Sequence, residues 1–267
     1  MKVVNLYGTY DEKKEKIKTL RIELANKQYP LGKWPMCDLV VSIDDNKSII
    51  HFSVDMLIAD FLSMNIILND LETFYRNPNM EIKIPTLYRD IINYQQRMKL
   101  SSNLIRQKAE TYWNEKIGKM GETPELPIIT KHNLASSDFY QKKIFLDEMQ
   151  WKEFCNVAQE NNITPSILVM SALVEVIGLW SSVKKFSINA TLFNRPQVVD
   201  DINNVVGDFT DVNVLSVSLD YNLSYIERIK KMQNDMWADM EHRDFSGVEV
   251  LRKPESVNPA SHFQIQS

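Results

Sequence analysis

The segment HFSVDMLIAD, residues 51–60, decides the fold class because a strand pattern gives way to a helix pattern within it. An apolar, strand-like run ends near Asp55, and FLSMNIILNDLETFY from Phe61 onward repeats apolar residues at helical spacing. Two carboxylates, Asp55 and Asp60, lie at this junction. Taken alone, they are explained by a polar strand residue and a helix N-cap, since Asp is a favoured N-cap residue.

The residues before the junction predict a helix and then a hairpin. Residues 11–27 place apolar side chains among charged ones in a helical rhythm. Two β-rich runs follow, residues 31–45 and 48–60, separated by the turn signal DDNKS. Together these patterns predict an α/β fold with mixed sheets flanked by helices.

Composition excludes several classes of protein. The 267 residues are 44% hydrophobic, enough to bury a core. A net charge of −4 gives no electrostatic case for nucleic acid. The two cysteines, Cys37 and Cys155, lack the spacing of a zinc site or a disulfide framework. The sequence has neither a signal-peptide core nor a membrane span, so we expect a cytoplasmic protein with no bound metal and no membrane contact.

The middle of the chain predicts a long helical region followed by a crossover. Residues 90–120 read as helical, with five residues spaced for burial: Tyr94, Leu104, Ile105, Tyr112 and Trp113. Pro124 and Pro127 then break the pattern, because proline fixes φ and removes a backbone donor. We place a boundary between two halves at this point.

The second half predicts two further helices and two strands. Thr164 and Pro165 are typical of an N-cap and first helical position. FSINATLFNR (residues 186–195) and VVGDFTDVNVL (residues 205–215) are strand-like. The segment IERIKKMQNDMWADMEHRDFSGVEVLR, residues 226–252, predicts a helix and a turn.

These segments resemble the heterocyclization domains of nonribosomal peptide synthetases, members of the chloramphenicol acetyltransferase and condensation superfamily. That superfamily places an HHxxxDG motif at a strand-to-helix junction, and HFSVDMLIAD resembles its DxxxxD version. Aligned on the final Asp, Asp55 replaces the first histidine and Met56 the second. The similarity runs from about residue 11 to Arg252 and includes WP, TP, GDFT, a QxxxWxDxxHR pattern and GVEVLR.

The resemblance implies a two-lobed, chloramphenicol-acetyltransferase-like condensation fold that is present only in part. Residues 1–125 correspond to the C-terminal part of the first lobe, residues 126–252 to the N-terminal part of the second, and residues 253–267 to a divergent tail. We expect both ends of the family domain to be missing. An exposed apolar surface or unpaired edge is therefore expected near Val212 to Val217.

The resemblance also implies an activity. Such a domain joins a carrier-bound acyl group to a carrier-bound Cys, Ser or Thr and cyclodehydrates the new amide to a thiazoline or oxazoline. The expected partners are acyl or peptidyl carrier domains on both sides and an adenylation domain. The domain is expected to bind no cofactor, because the substrates arrive on the 4′-phosphopantetheine arms of the carriers.

Water loss needs proton transfer, so a buried carboxyl beside a hydroxyl would suit the reaction. By resemblance the candidate catalytic residues are Thr210, Asp239 and Asp208, with Thr210 and Asp239 preferred as a pair. Each has a structural alternative. Asp208 is better explained as a residue that orients its own loop, and Asp239 is alternatively a solvated helix residue paired with Arg243.

The remaining motif residues are interpreted mainly as architecture at the active centre. They are Asp55, Asp60, Asn189, Thr191, Asn194 and Arg195. The resemblance implies that Asp60 bonds an arginine, which the sequence does not identify. Structural roles are favoured for Asn194 and Arg195, whereas the interpretation of Thr191 stays even. His242 is interpreted as a helix-end partner rather than a base.

Two other functions stay open. An acyltransferase that forms only an amide would share the fold, but Met56 in place of the histidine argues against it. An inactive relic or a protein-interaction module of the same fold is the stronger rival, because a domain without its flanks would not assemble the whole substrate channel.

Overall fold

The computed structural model describes residues 1–45, 47–81, 85–100, 104–127 and 142–253, with the side chains of residues 99 and 100 left out. These residues form both helices and strands, and two groups of strands flank a run of five helices, which agrees with the predicted α/β class. Internal contacts divide the chain into two compact units. Unit 1 contains residues 1–96 and 193–210, and unit 2 contains residues 97–192 and the chain from residue 211 onward.

Unit 1 contains a mixed three-stranded sheet in the order β1-β2-β3. The strands are β1 (Lys2–Asn5), β2 (Cys37–Ile43) and β3 (Ser48–Val54). Strand β1 runs parallel to β2, and β2 pairs antiparallel with β3 so that Val40 faces His51. The β2–β3 pairing confirms the predicted hairpin.

The two predicted helices of unit 1 begin at capping residues. Helix α1 (Tyr10–Ala25) starts with a capping box in which Thr9 and Glu12 satisfy each other's backbone amides. Helix α2 (Phe61–Arg76) starts at Asp60, whose side chain accepts from the amide of Ser63. Sequence patterns therefore placed both helix starts to within a few residues.

The predicted long helical region consists of α3 (Tyr88–Leu100) and α4 (Leu104–Ile117), and residues 101–103 lie outside the described residues. The buried residues of α4 are Ala109, Trp113 and Ile117, which recur every fourth residue and therefore share one face. Burial of Trp113 was predicted correctly. Leu104 and Ile105 are 72% and 58% exposed, contrary to the prediction, because the first turn of α4 precedes the buried cluster. Tyr94 is also exposed.

Unit 2 contains most of a two-stranded sheet and the remaining helices. Strand β4 (Lys185–Phe193) pairs with β5 (Thr210–Ser218). Helices α5 (Glu148–Glu160), α6 (Pro165–Trp180) and α7 (Tyr225–Glu241) follow the predicted pattern, and the short α8 spans Gly247–Leu251. Thr164 caps α6 and Pro165 is its first residue, as predicted.

Each unit has its own apolar core. In unit 2 one cluster joins α5, α6 and α7 to the sheet through Phe186, Leu215 and Ile229, and a second joins α4 to α8 through Trp113 and Val250. In unit 1 a smaller cluster gathers Ile91, Ile202, Val205 and Phe209. The backbone between Ile202 and Asn204 forms a single 3₁₀ turn. These clusters fix the strand ends and loops that carry the motif residues.

The division into units differs from the boundary predicted at Pro124 and Pro127. Residues 97–123 group with unit 2, because Trp113 and Ile117 of α4 pack with Val214 of β5. The assignment of the two halves to lobes stays a prediction, and the proposed divergent tail from Pro254 onward lies outside the described residues.

The exposed apolar surface expected at Val212 to Val217 is wrong, whereas the alternative of an unpaired edge agrees with the described strands, among which β5 pairs only with β4. Val214 and Leu215 are fully buried and Val217 is 6% exposed, because β5 lies inside the core of unit 2. Exposed apolar residues instead cover one side of α6: Val169, Leu173, Val176, Leu179 and Trp180. Among the described helices none is long and apolar enough to span a membrane by itself; α5 and α6 reach that threshold only as a pair bent by 94°.

Candidate active site

Asp60 lies at the start of α2 and is completely buried. Its Oδ1 accepts hydrogen bonds from the backbone amide of Ser63, at 2.7 Å, and approaches the Ser63 hydroxyl at the same distance. The N-cap role expected from the sequence is therefore present. A capping carboxylate at a helix start is ordinarily exposed, so its complete burial calls for a further partner.

That partner is Arg195. Its Nη2 lies 2.9 and 3.1 Å from the two carboxylate oxygens of Asp60, while Nη1 donates to the carbonyls of Ile202 and Val205 at 2.9 and 2.8 Å. The guanidinium carbon also lies 4.4 Å from the centroid of the Phe209 ring, which is within cation–π range. Arg195 is the arginine that the sequence left unidentified, and it has the structural role expected for it.

Ser63 and Gly207 complete this buried cluster. The Ser63 hydroxyl accepts from the amide of Gly207 at 3.0 Å and lies 2.8 Å from its carbonyl oxygen, while Asp60 Oδ2 accepts from the amide of Phe209 at 3.3 Å. A Cβ atom on Gly207 would lie 2.1 Å from the ring of Tyr88, so glycine is required there. Sequence analysis missed Ser63. Its position three residues after an N-cap Asp is the signal that was available.

Asp55 is separate from this cluster. Its Oδ1 accepts from the amide of Leu57 at 2.9 Å, and its side chain is half-buried. Met56, which the resemblance aligns with the second histidine of the superfamily motif, is 56% exposed. Both residues line an open cleft of about 650 Å³ whose walls include Phe61 and Met64. The cleft therefore presents a carboxylate and a thioether where an imidazole would otherwise be expected.

Asp208 and Thr210 lie at the end of the same loop as Gly207. Asp208 Oδ1 accepts from the amide of Thr210 at 2.9 Å, and the Asp208 carbonyl accepts from the Tyr88 hydroxyl at 2.6 Å. These bonds support the interpretation of Asp208 as a residue that orients its own loop. Thr210 is exposed, so its hydroxyl is accessible from solvent.

Two candidate residues lie within β4 and one follows its end. Asn189 and Thr191 are exposed and flank the buried Ala190, as expected for alternate residues of a strand. Asn194 follows the strand, and its amide donates to the carbonyl of Phe209 at 2.8 Å. This bond is made by the backbone of Asn194, so the structural interpretation of its side chain stays a prediction.

Asp239 lies on α7 in unit 2, and its side chain is fully buried. Oδ1 is bound by the Lys116 ammonium and by the Tyr112 hydroxyl, the latter at 2.7 Å, and Oδ2 lies 3.3 Å from the side-chain amide of Asn213. The alternative in which Asp239 is a solvated residue paired with Arg243 is therefore wrong. The carboxylate is enclosed by polar groups from α4 and β5.

Burial and the ion pair act in opposite directions on Asp239. Burial raises the pKa of the Asp239 carboxyl above its ordinary value, and the Lys116 ammonium is the strongest influence that lowers it. Burial, followed by the hydrogen bond to Asp239, raises the pKa of Tyr112. The phenol therefore stays protonated near neutral pH and donates to the carboxylate.

His242 lies beside this cluster rather than in it. Its ring stacks on that of Tyr112 with centroids 4.0 Å apart, and its Nδ1 lies 2.7 Å from the carbonyl of Ala238. His242 is also the C-cap residue of α7. These contacts agree with its interpretation as a helix-end partner.

The preferred pair, Thr210 and Asp239, belongs to two different units. Within unit 2 the hydroxyl that contacts Asp239 is that of Tyr112. Tyr112 was predicted from its spacing to be buried, and neither Lys116 nor Asn213 was predicted to belong to a site. Two signals were available: the i, i+4 spacing of Tyr112 and Lys116, and an asparagine within the apolar run of β5.

Comparison with known proteins places this arrangement in a family. The model of the "Condensation domain" family matches residues 1–261. This chain belongs to the condensation domain family. The matched residues include the buried pair of Asp60 and Arg195.

Three similar proteins illustrate the relationship. Pyochelin synthetase PchF of Pseudomonas aeruginosa is 28% identical over 224 residues, which are 84% of this chain and 12% of that protein. Phenyloxazoline synthase MbtB of Mycobacterium sp. (strain MCS) is 24% identical over 228 residues, 85% of this chain and 19% of the relative. The EpoB cyclization-docking bidomain of Sorangium cellulosum aligns with a TM-score of 0.84 at 26% identity, covering 96% of this chain and 52% of that one.

These comparisons also show the fold. The structural neighbours include nonribosomal peptide synthetase condensation and cyclization domains, so the chain has the α/β condensation fold expected from its motifs. The chain spans about half of the EpoB bidomain and small fractions of the two synthases. In each of these proteins the aligned region is one part of a longer chain.

Proposed function

We propose that this chain is part of a heterocyclization domain of a nonribosomal peptide synthetase. Such a domain forms an amide between a carrier-bound acyl group and a carrier-bound Cys, Ser or Thr, and then cyclodehydrates it to a thiazoline or oxazoline. The observation that carries the proposal is the junction at residues 55–60. It has Asp55 and Met56 where amide-forming relatives would carry histidines, and it keeps Asp60 in the buried pair with Arg195.

The names of the relatives support the finer assignment. Phenyloxazoline synthase is named for an oxazoline product, and the EpoB structure is described as a cyclization-docking bidomain. The match to pyochelin synthetase PchF is at 28% identity. Relatives at this level of identity share a fold but can differ in activity, so their names support the proposal by analogy.

The proposed reaction has three steps. The amine of the acceptor attacks the donor thioester, an amide bond forms and the donor carrier thiol leaves. The side-chain thiol or hydroxyl then adds to the new amide carbonyl, which becomes a tetrahedral centre bearing a hydroxyl. That hydroxyl leaves with the nitrogen's proton as water, and a C=N bond forms within the ring that the second step closed.

Asp239 is proposed as the acid–base group of the last two steps. Burial raises the pKa of this carboxyl above its ordinary value, which makes it a stronger base than an exposed aspartate, and general acid–base assistance is worth about 10²- to 10⁴-fold in rate. Thr210 is proposed to contribute its exposed hydroxyl, and Asp208 is proposed to act by holding the loop that carries Thr210. Amide formation needs less help, because a correctly positioned amine is already nucleophilic.

The partners in this proposal are carrier domains upstream and downstream and an adenylation domain, as in large synthetases. No cofactor is assigned to the domain itself, since both substrates are delivered on 4′-phosphopantetheine thioesters. The carrier arms would bring the reacting atoms to the site.

The proposal is tested with the complete protein, meaning this chain with whatever sequence flanks it in its natural polypeptide. It is mixed in a single turnover with an acyl-loaded carrier and, in parallel, with carriers loaded with Cys, Ser, Thr or Ala. Intact mass spectrometry of the acceptor carrier should show a product lighter by one water than the linear amide for Cys, Ser or Thr but not for Ala. Linear amide alone from all four would indicate an amide-forming acyltransferase, and no acyl transfer would indicate an inactive module.

A further inference from the structure

We propose that Lys116 is a positioning residue for Asp239, holding its carboxylate in the ionised state and in a fixed orientation. The cluster lies entirely within unit 2 and draws on three elements: Lys116 and Tyr112 from α4, Asn213 from β5 and Asp239 from α7. The effect of Lys116 on ring formation rests on the proposed function, whereas its effect on the charge of Asp239 is independent of that function.

The partners of Asp239 contact different oxygens of its carboxylate. Lys116 and Tyr112 both contact Oδ1, whereas Asn213 contacts Oδ2. Because both oxygens are bonded, the orientation of the carboxylate is fixed. The Lys116 ammonium also lies 5.6 Å from the centroid of the Tyr112 ring and 5.2 Å from that of Trp113. Trp113 is 1% exposed and belongs to the core, so these rings restrict where the ammonium can lie.

Among the charged groups around the cluster, Lys116 is the one that favours the ionised form of Asp239 through a direct bond. Asp235 and Glu241, also on α7, add negative charge that acts on Tyr112, and the neighbouring His242 stacks on the Tyr112 ring. Lys116 is the cation that bonds Asp239 directly, and its side chain is 18% exposed. A fully buried carboxylate without a bonded cation takes up a proton instead of staying charged. Lys116 therefore opposes the protonation that burial favours.

Removing the Lys116 charge should accordingly protonate Asp239 at higher pH. An adjacent cation typically lowers a carboxyl pKa by about 1 to 3 units. Lys116→Met is expected to raise the midpoint of Asp239 titration by at least about one unit, whereas Lys116→Arg keeps the charge and should stay closer to the parent. Lys119→Met, a change of an exposed lysine three residues later, is the matched control and should leave the midpoint unchanged.

The direct test is carboxyl ¹³C NMR of the chain labelled with ¹³C-aspartate, titrated between pH 4 and 9. The Asp239 signal is assigned by its loss in Asp239→Asn. The inference requires an ionised Asp239 at pH 7 in the parent protein, so a protonated parent signal overturns it even if the Met variant fails to fold. Equal shifts in Lys116→Met and Lys116→Arg would overturn it too, since they would show loss of packing rather than of charge.

A kinetic test separates this inference from the proposed function. In the complete protein, the acid limb of the pH profile for ring formation should move to higher pH in Lys116→Met by the same amount as the NMR midpoint, while amide formation keeps its parental profile. A protein that forms no ring at any pH would refute the proposed function and leave the NMR result as the test of Lys116. A ring-formation profile that does not move despite a shifted NMR midpoint would overturn the positioning role.

Discussion

Loss of the buried ion pair between Asp60 and Arg195 should destabilise unit 1 severely. The substitution Asp60→Asn removes the charge of Asp60 with little change in the shape of the side chain, so it measures the electrostatic contribution of the pair. The substitution keeps the shape of the side chain and one oxygen that accepts from the Ser63 amide. It leaves the Arg195 guanidinium, 7% exposed, without an anion. Arginine cannot escape this cost by losing its proton, because its pKa lies far above the accessible range.

The magnitude follows from the contacts. Nη2 of Arg195 makes two bonds to the carboxylate, at 2.9 and 3.1 Å, and a hydrogen bond to a charged group is worth about 1.5–3 kcal/mol. The sum agrees with the cost of about 3–5 kcal/mol for breaking a buried ion pair by removing one partner. Since small domains have about 5–15 kcal/mol of stability in total, this cost is a large fraction of the stability.

Urea unfolding followed by circular dichroism measures this cost. Asp70→Asn, on the exposed side of the same helix, should change the unfolding free energy by less than about 0.5 kcal/mol. The double variant with Asp60→Asn and Arg195→Met should be more stable than the sum of the two single losses predicts, since it leaves no unpaired charge. An Asp60→Asn protein within about 1 kcal/mol of the parent would refute the reasoning.

Three further changes have defined expectations. Gly247→Ala should cost about 1–3 kcal/mol in thermal unfolding, because its Cβ would lie 1.9 Å from the carbonyl oxygen of Val212; Gly118→Ala, which meets nothing within 4 Å, should be tolerated. Thr9→Ala should cost about 1 kcal/mol by removing the cap of α1, measured by urea unfolding. Burial, and to a lesser extent a nearby arginine, lowers the pKa of His51 below its ordinary value of 6.5, so the unfolded chain binds the proton first. Unfolding free energy should therefore fall as pH drops below about 6.5, and His51→Asn should show a smaller fall.

Local features of the sequence predicted local structure well. The cap and first-position pair at Thr164 and Pro165, the turn signal between β2 and β3, and the junction at Asp60 each depend on a few adjacent residues, and each is present in the structure. The family resemblance added the expectation that Asp60 bonds an arginine. Arg195 is 135 residues away along the chain, and no local pattern identifies a partner at that distance.

Burial of polar groups was the main feature that sequence patterns missed. A helical carboxylate with an arginine four residues later is equally consistent with a solvated ion pair, so the sequence left two interpretations of Asp239 open. Its complete burial depends on where α4 packs, and α4 is brought there by Trp113 and Ile117. The same packing explains why the predicted boundary near Pro124 and Pro127 differs from the division into units.

The central claim is that Asp239 serves ring closure rather than amide formation. It is tested most directly by single-turnover mass spectrometry of the carrier-bound product made by the complete protein carrying Asp239→Ala, with Thr210→Ala alongside. We expect amide formation at close to the parental rate, accumulation of the linear product in Asp239→Ala with ring closure slowed by about 10²- to 10⁴-fold, and a milder loss in Thr210→Ala. Dehydrated ring formed by Asp239→Ala at the parental rate would contradict the central claim.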